Sequence, residues 1–265
     1  MAIIGLIGSG NMSSALARAV RRAFPEAELL FTNRTPGKAE GLALELSGTV
    51  VTNQEAARRS QWLFLGVKPQ MYPEVLSEIA PALGENPGAV LVPMAAGLTL
   101  ERVKALSGVN NAAIRIMPNT PVSIGEGVIL YCPDSQVTGE QLAFFQKMLE
   151  KSGRLVEMPE RLFDAAGSVS GCGPAFAELF LEALGDGAVA CGLPRGKAYE
   201  LAAQMLLGTA RLALESGKHP GLMKDEVTSP GGTTIQGVRA LEKGGFRSAV
   251  MEAVIASFEK NKTIG

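Results

Sequence analysis

Short unbroken apolar runs alternate with stretches of helical spacing through the first part of the chain. Residues 2–7, 28–31, 62–67, 89–94, 113–117 and 128–132 read as strands, and 13–23, 38–46, 72–83 and 100–106 as helices between them. The strands are apolar on both faces, the pattern of a parallel sheet covered by helices on each side. Residues 140–151 add a helix and 154–157 a last short strand. Beyond Pro159 the strand pattern stops. From Leu162 onward alanine, leucine and glutamate recur at helical spacing, interrupted at Gly171-Cys172-Gly173-Pro174, Cys191-Gly192-Leu193-Pro194, His219-Pro220-Gly221 and Ser229-Pro230-Gly231-Gly232. The pattern divides the chain into a doubly wound α/β domain, residues 1–159, and an all-helical domain, residues 160–265.

Two of the later helices, 175–190 and 195–215, are apolar around most of their circumference, as in Phe176-Ala177-Glu178-Leu179-Phe180-Leu181 and Ala202-Ala203-Gln204-Met205-Leu206-Leu207. A domain of that size rarely buries so much by itself, so these helices predict a subunit interface. The chain has 265 residues, 19% of them charged, and a net charge of -1 without basic blocks, which argues against nucleic acid and anionic membranes as partners. The apolar start, Met1-Ala2-Ile3-Ile4-Gly5-Leu6-Ile7-Gly8, has no basic leader or cleavage site and is too short to span a bilayer, so it reads as a buried strand. Cys132, Cys172 and Cys191 form an odd set with no close pair, which speaks against both a disulfide framework and a zinc site and fits a reducing cytoplasm. The only histidine, His219, sits in a Lys-His-Pro-Gly turn and reads as a loop residue, not a catalytic base.

The strongest local signal is Gly8-Ser9-Gly10-Asn11-Met12-Ser13, directly after the first strand and opening a helix. Gly8 permits a tight turn, Gly10 lets backbone approach a pyrophosphate, and Ser13 is small enough for helix to pack on strand. Amides at the helix start, aided by its dipole, would hold the phosphates. Such a turn at the head of a βαβ series makes the first domain Rossmann-type, with a nicotinamide dinucleotide as its cofactor.

The second strand ends in Thr32-Asn33-Arg34-Thr35-Pro36, with no acid to bind both ribose hydroxyls of NAD. Arg34 would face a 2′-phosphate with charge-assisted bonds, Asn33 and Thr35 adding donors, so NADPH is expected in preference to NADH. Two further strand ends point at the same crevice: Val67-Lys68-Pro69, which brings a cation, and Met94-Ala95-Ala96-Gly97, whose small residues let a ring lie against the backbone.

A second candidate site is Ser229-Pro230-Gly231-Gly232-Thr233-Thr234. Ser229 suits an N-cap and Pro230 the first helical position, while Gly231 and Gly232 leave the first-turn amides bare. A cap does not require paired glycines, each about 1 kcal/mol worse than alanine in a helix. The segment reads as a carboxylate-binding nest edged by the hydroxyls of Thr233 and Thr234.

Along essentially its whole length the sequence resembles the pyrroline-5-carboxylate reductases. The carrying motifs are Ile7-Gly8-Ser9-Gly10-Asn11-Met12, Val67-Lys68-Pro69, Met94-Ala95-Ala96-Gly97, Arg115-Ile116-Met117-Pro118-Asn119, Ser170-Gly171-Cys172-Gly173-Pro174-Ala175 and Ser229-Pro230-Gly231-Gly232-Thr233-Thr234. The resemblance implies hydride transfer from NADPH to the C=N carbon of 1-pyrroline-5-carboxylate, the last step of proline synthesis. It implies that Thr234 hydrogen-bonds the ring nitrogen and that the amides of Gly232, Thr233 and Thr234, with Ser229, hold the carboxylate. Asn53, Glu160 and Glu226 match positions implicated in cofactor or substrate contacts. Homodimers through intertwined helical domains, the substrate loop of one subunit meeting the cofactor of another, and rings of such dimers are further implications. Cys172 departs from the serine commoner at its position.

A cyclic imine is readily protonated by solvent, so orientation and carboxylate binding suffice and no metal is required. Two rival readings are a β-hydroxyacid dehydrogenase and a non-catalytic NADPH sensor. The first would place a lysine early in the long helix after the domain junction, where Pro174-Ala175-Phe176-Ala177-Glu178 has none. The second gives no reason for the nest.

Overall fold

In the computed structural model, which describes residues 1–262, the N-terminal half forms a five-stranded parallel sheet in the order β3-β2-β1-β4-β5. Its strands are β1 (Ile3–Ile7), β2 (Glu28–Thr32), β3 (Thr49–Val50), β4 (Trp62–Leu65) and β5 (Val90–Pro93). The helices between them are α1 (Asn11–Ala23), α2 (Pro36–Leu46), α3 (Asn53–Arg59) and α4 (Tyr72–Gly84), and α5 (Leu100–Ser107) follows β5. Successive β4 residues go to opposite faces. Trp62 and Phe64 join Ile4, Leu16, Val20 and Phe31 in one core, while Leu63 and Leu65 join Leu76, Ile79 and Val103 in the other. That double burial is why the strands read as apolar throughout. β1 pairs with β2 on one side and β4 on the other, so the order reverses at β1, and the C-terminal ends of β1 and β4 are where ligands of open α/β sheets bind.

β3 and α3 are absent from the expected pattern. β3 has two exposed residues, and α3 is short, but Thr52 caps it by accepting from Glu55 N, a Thr-x-x-Glu start readable in the sequence. The later strands also differ from a wholly parallel sheet: β6 (Ile114–Pro118) and β7 (Gly127–Pro133) are antiparallel, and β8 (Gly153–Glu157) runs parallel to β7. The link from Pro118 to Gly127 is too short for a crossover helix, whereas α6 (Gly139–Leu149) bridges β7 to β8.

The chain packs as two compact units, Met1–Gly171 with the C-terminal residues from Phe258, and Cys172–Ser257. The sequence pattern alone divides it at Pro159; in the structure α7 (Phe163–Ser170) keeps company with the first unit. The second unit is helical: α8 (Gly173–Ala190), α9 (Arg195–Ser216), α10 (Pro220–Glu226), α11 (Thr233–Lys243) and most of α12 (Phe246–Asn261). Leu179, Leu201, Leu207, Leu212, Val250 and Met251 in it are 43% to 68% exposed. Phe176, Phe180, Leu184, Phe246 and Val250 line an apolar groove of about 560 Å³. Among the described residues no helix is long and apolar enough to cross a membrane.

Candidate cofactor crevice and substrate nest

The glycine turn after β1 is held by backbone on both sides. Gly8 N donates to Thr32 O at 3.0 Å and Gly66 N donates to Ile7 O at 2.8 Å, tying the turn to the neighbouring strands. Gly8 has φ +93°, and a Cβ there would lie 2.8 Å from Gly66 O. Gly10 is the N-cap of α1, with extended backbone and no side-chain cap. A Cβ on Gly10 would meet nothing within 4 Å, so open space lies over uncapped first-turn amides. This cradle fits a pyrophosphate, with Ile7, Gly8, Ser9, Gly10, Asn11 and Met12 placed around it.

The end of β2 is knitted into the same turn. Asn33 Oδ1 accepts from Ser9 N at 3.1 Å, Asn33 Nδ2 donates to Thr35 O at 2.9 Å, and Ser9 Oγ donates to Thr32 O at 3.1 Å. Asn53, first residue of α3, accepts from Thr32 Oγ1 at 2.6 Å and donates to Glu78 Oε2 at 2.8 Å. The amide groups of both asparagines are therefore engaged within the protein. Arg34 stands exposed beside them with no hydrogen bond or ion pair among the described residues. Lys68 is exposed at the end of β4, and Ala95 and Ala96 form the turn after β5.

Glu160, matched by the resemblance to a cofactor or substrate contact, is engaged within the protein through one carboxylate oxygen. Its Oε1 accepts from Leu100 N, at the start of α5, at 2.8 Å and from Arg115 Nη1 at 3.0 Å. The Arg115 side chain is 4% exposed, its guanidinium lies 4.7 Å from the Phe163 ring centre, and Asp164 is 4.0 Å away. The pair thus pins the helix after Met94-Ala95-Ala96-Gly97 to β6. Arg115 carried no functional reading from sequence, because its partner is remote along the chain. Cys132 lies nearby, and burial, with the Glu160 carboxylate beside it, pushes its thiol pKa up.

In the second unit α11 starts three residues later than the N-cap signal at Ser229 suggested. Ser229 and Pro230 are not the cap and first turn of α11. They begin a turn closed by Gly232 N donating to Ser229 O at 3.0 Å, with Gly231 at φ +70°. Proline then glycine of positive φ is the signature of a type II turn, which outcompetes the helical start. Gly232 becomes the N-cap, without a side-chain acceptor, so the amides of Thr233 and Thr234 open α11 bare and both threonines are exposed. Glu226 ends α10 in an exposed ion pair with Lys218 at 2.6 Å, and His219 caps α10, its Nδ1 accepting from Gly221 N. No His, Cys, Asp and Glu group able to hold a metal occurs among the described residues.

A doubly wound unit with this glycine turn, joined to a helical unit in which α11 starts uncapped, has the layout of a nicotinamide-dependent oxidoreductase. Residues 160–264 match the family model described as pyrroline-5-carboxylate reductase dimerisation, and residues 3–97 match that of NADP oxidoreductase, coenzyme F420-dependent. The pyrroline-5-carboxylate reductase of Synechocystis sp. is 41% identical over 99% of this chain and 98% of its own. The chain belongs to the pyrroline-5-carboxylate reductase family. The Escherichia coli enzyme of that name is 38% identical over 98% of this chain and 97% of its own. A crystal structure of Plasmodium falciparum pyrroline carboxylate reductase with NADP bound is similar with a TM-score of 0.87, at 31% identity, over 100% of this chain and 98% of its own. Membership makes the chain an NAD(P)H-dependent oxidoreductase of proline biosynthesis, as the resemblance implied.

Proposed function

We propose that the chain reduces 1-pyrroline-5-carboxylate to L-proline with NADPH by seating the imine through its carboxylate on the uncapped start of α11. The observation that carries this reading is the first turn after Gly232, whose N–H groups no side chain caps and where the helix dipole favours an anion. The amides of Thr233 and Thr234 donate to the carboxylate, that of Gly232 being engaged by Ser229 O; Ser229 adds its hydroxyl, and the Thr234 hydroxyl hydrogen-bonds the ring nitrogen. Bound NADPH supplies the hydride that goes to the C=N carbon, while solvent supplies the proton on nitrogen. The protein's contribution is orientation. Arg34, uncommitted at the end of β2, takes the 2′-phosphate and sets the preference for NADPH over NADH.

Steady-state kinetics on two variants test these assignments. Thr234→Ala should lower kcat/KM for the imine about ten- to a hundredfold, the worth of one hydrogen bond to a charged group, with KM for NADPH unchanged. Arg34→Ala should raise KM for NADPH about tenfold and leave NADH alone. Full activity of the first variant overturns the nest, and equal effects on both cofactors overturn the phosphate assignment.

The exposed apolar residues of α8, α9 and α12 support an intertwined homodimer, and rings of dimers as the larger assembly, acting in the cytoplasm. Sedimentation at micromolar concentration is expected to give a dimer or a multiple of it. A monomer sinks this part of the reading.

A further inference from the structure

The ends of β4 and β5 are joined through a side chain. Tyr72, the first residue of α4, is 1% exposed, and its hydroxyl donates to Leu65 O at 2.6 Å while accepting from Met94 N at 3.1 Å. The register pairs Leu65 with Pro93, and Val90 N donates to Gln61 O. Alternate residues of β5 therefore donate to alternate residues of β4, and the rung after the last pair would run from Met94 N directly to Leu65 O. The tyrosine hydroxyl stands inside that rung and holds the two strand ends apart. Immediately beyond lie Gly66-Val67-Lys68-Pro69 on one side and Ala95-Ala96-Gly97 on the other.

We propose that Tyr72 is a positioning residue whose hydroxyl, spliced into the β4–β5 ladder, sets the opening that receives the nicotinamide half of the cofactor. The inference rests on the assignment of those two turns to the cofactor. The hydroxyl is thus a side-chain link between the strand ends at this level. Enclosure pushes the phenol pKa far above its ordinary value, so the group remains a donor throughout the working pH range. Without the hydroxyl, Met94 N and Leu65 O can pair with each other. The fold then keeps its hydrogen bond while the opening narrows.

The test measures dissociation constants of NADPH and of 2′,5′-ADP, which lacks the nicotinamide half, for the full-length protein and for Tyr72→Phe and Ala96→Leu. Tyr72→Phe should weaken NADPH about tenfold and leave 2′,5′-ADP unchanged, with thermal unfolding of the free protein little altered. Unchanged NADPH affinity overturns the proposal, as does equal weakening of both ligands, which would mark a general loosening. If Tyr72→Phe is inert while Ala96→Leu weakens NADPH, the tyrosine proposal fails and the crevice assignment stands. If both are inert, the crevice assignment fails with it.

Discussion

Gly8→Ala is expected to cost NADPH affinity about a hundredfold and to lower stability by about 2–3 kcal/mol, because a side chain there suffers both left-handed strain and a backbone collision. The added Cβ would come within 2.8 Å of Gly66 O and 3.1 Å of Val67 Cγ1. Gly66 N is bonded to Ile7 O in the same turn, which ties the residue that bears this carbonyl to the end of β1. The strand end or the turn must therefore shift, and both walls of the pyrophosphate cradle shift with it. Gly10→Ala makes the instructive contrast. Its Cβ meets no protein atom and points into the open space over α1, so it should weaken NADPH while leaving thermal unfolding unchanged. Fluorescence titration with NADPH beside thermal denaturation checks both, and a Gly10→Ala protein with normal affinity would remove the cradle from the cofactor site.

The second large effect concerns Arg115. Arg115→Met should destabilise the protein by about 3–5 kcal/mol, read as a lower denaturant midpoint, because it strips Glu160 of its buried cation and Phe163 of its guanidinium neighbour. Glu160→Gln, whose amide oxygen can still accept from Leu100 N and Arg115, should cost far less. If the two substitutions prove equally mild, the pair does not hold α5 in place, and Glu160 is free to serve the substrate as the sequence resemblance implied.

Much of the fold is legible in the chain because double burial leaves β1, β4 and β5 with no polar residue to confuse the reading. β3 and α3 escaped because exposure removes the apolar signal, and only the Thr52 cap marked them. The antiparallel turn from β6 to β7 follows from the shortness of the link, a topological constraint that apolar patterning does not express. Ser229-Pro230-Gly231-Gly232 satisfies both a helix start and a type II turn, and choosing between them depends on where Gly231 places its backbone. Tyr72 and Arg115 were unreadable as functional positions. Each looks like an ordinary member of a helix start or a strand, and what distinguishes it is a partner supplied by another element, Met94 for one and Glu160 for the other.

The knot of bonds at the end of β2 also limits how this crevice can change its diet of cofactors. The Asn33 side chain braces the glycine turn, so altering it to favour a bare ribose would disturb that turn at the same stroke, while the Thr32 hydroxyl is occupied at the start of α3. Arg34 carries no such duty. Drift or design toward NADH has its least encumbered route through that one exposed position, and the phosphate seat can be inherited intact across the change.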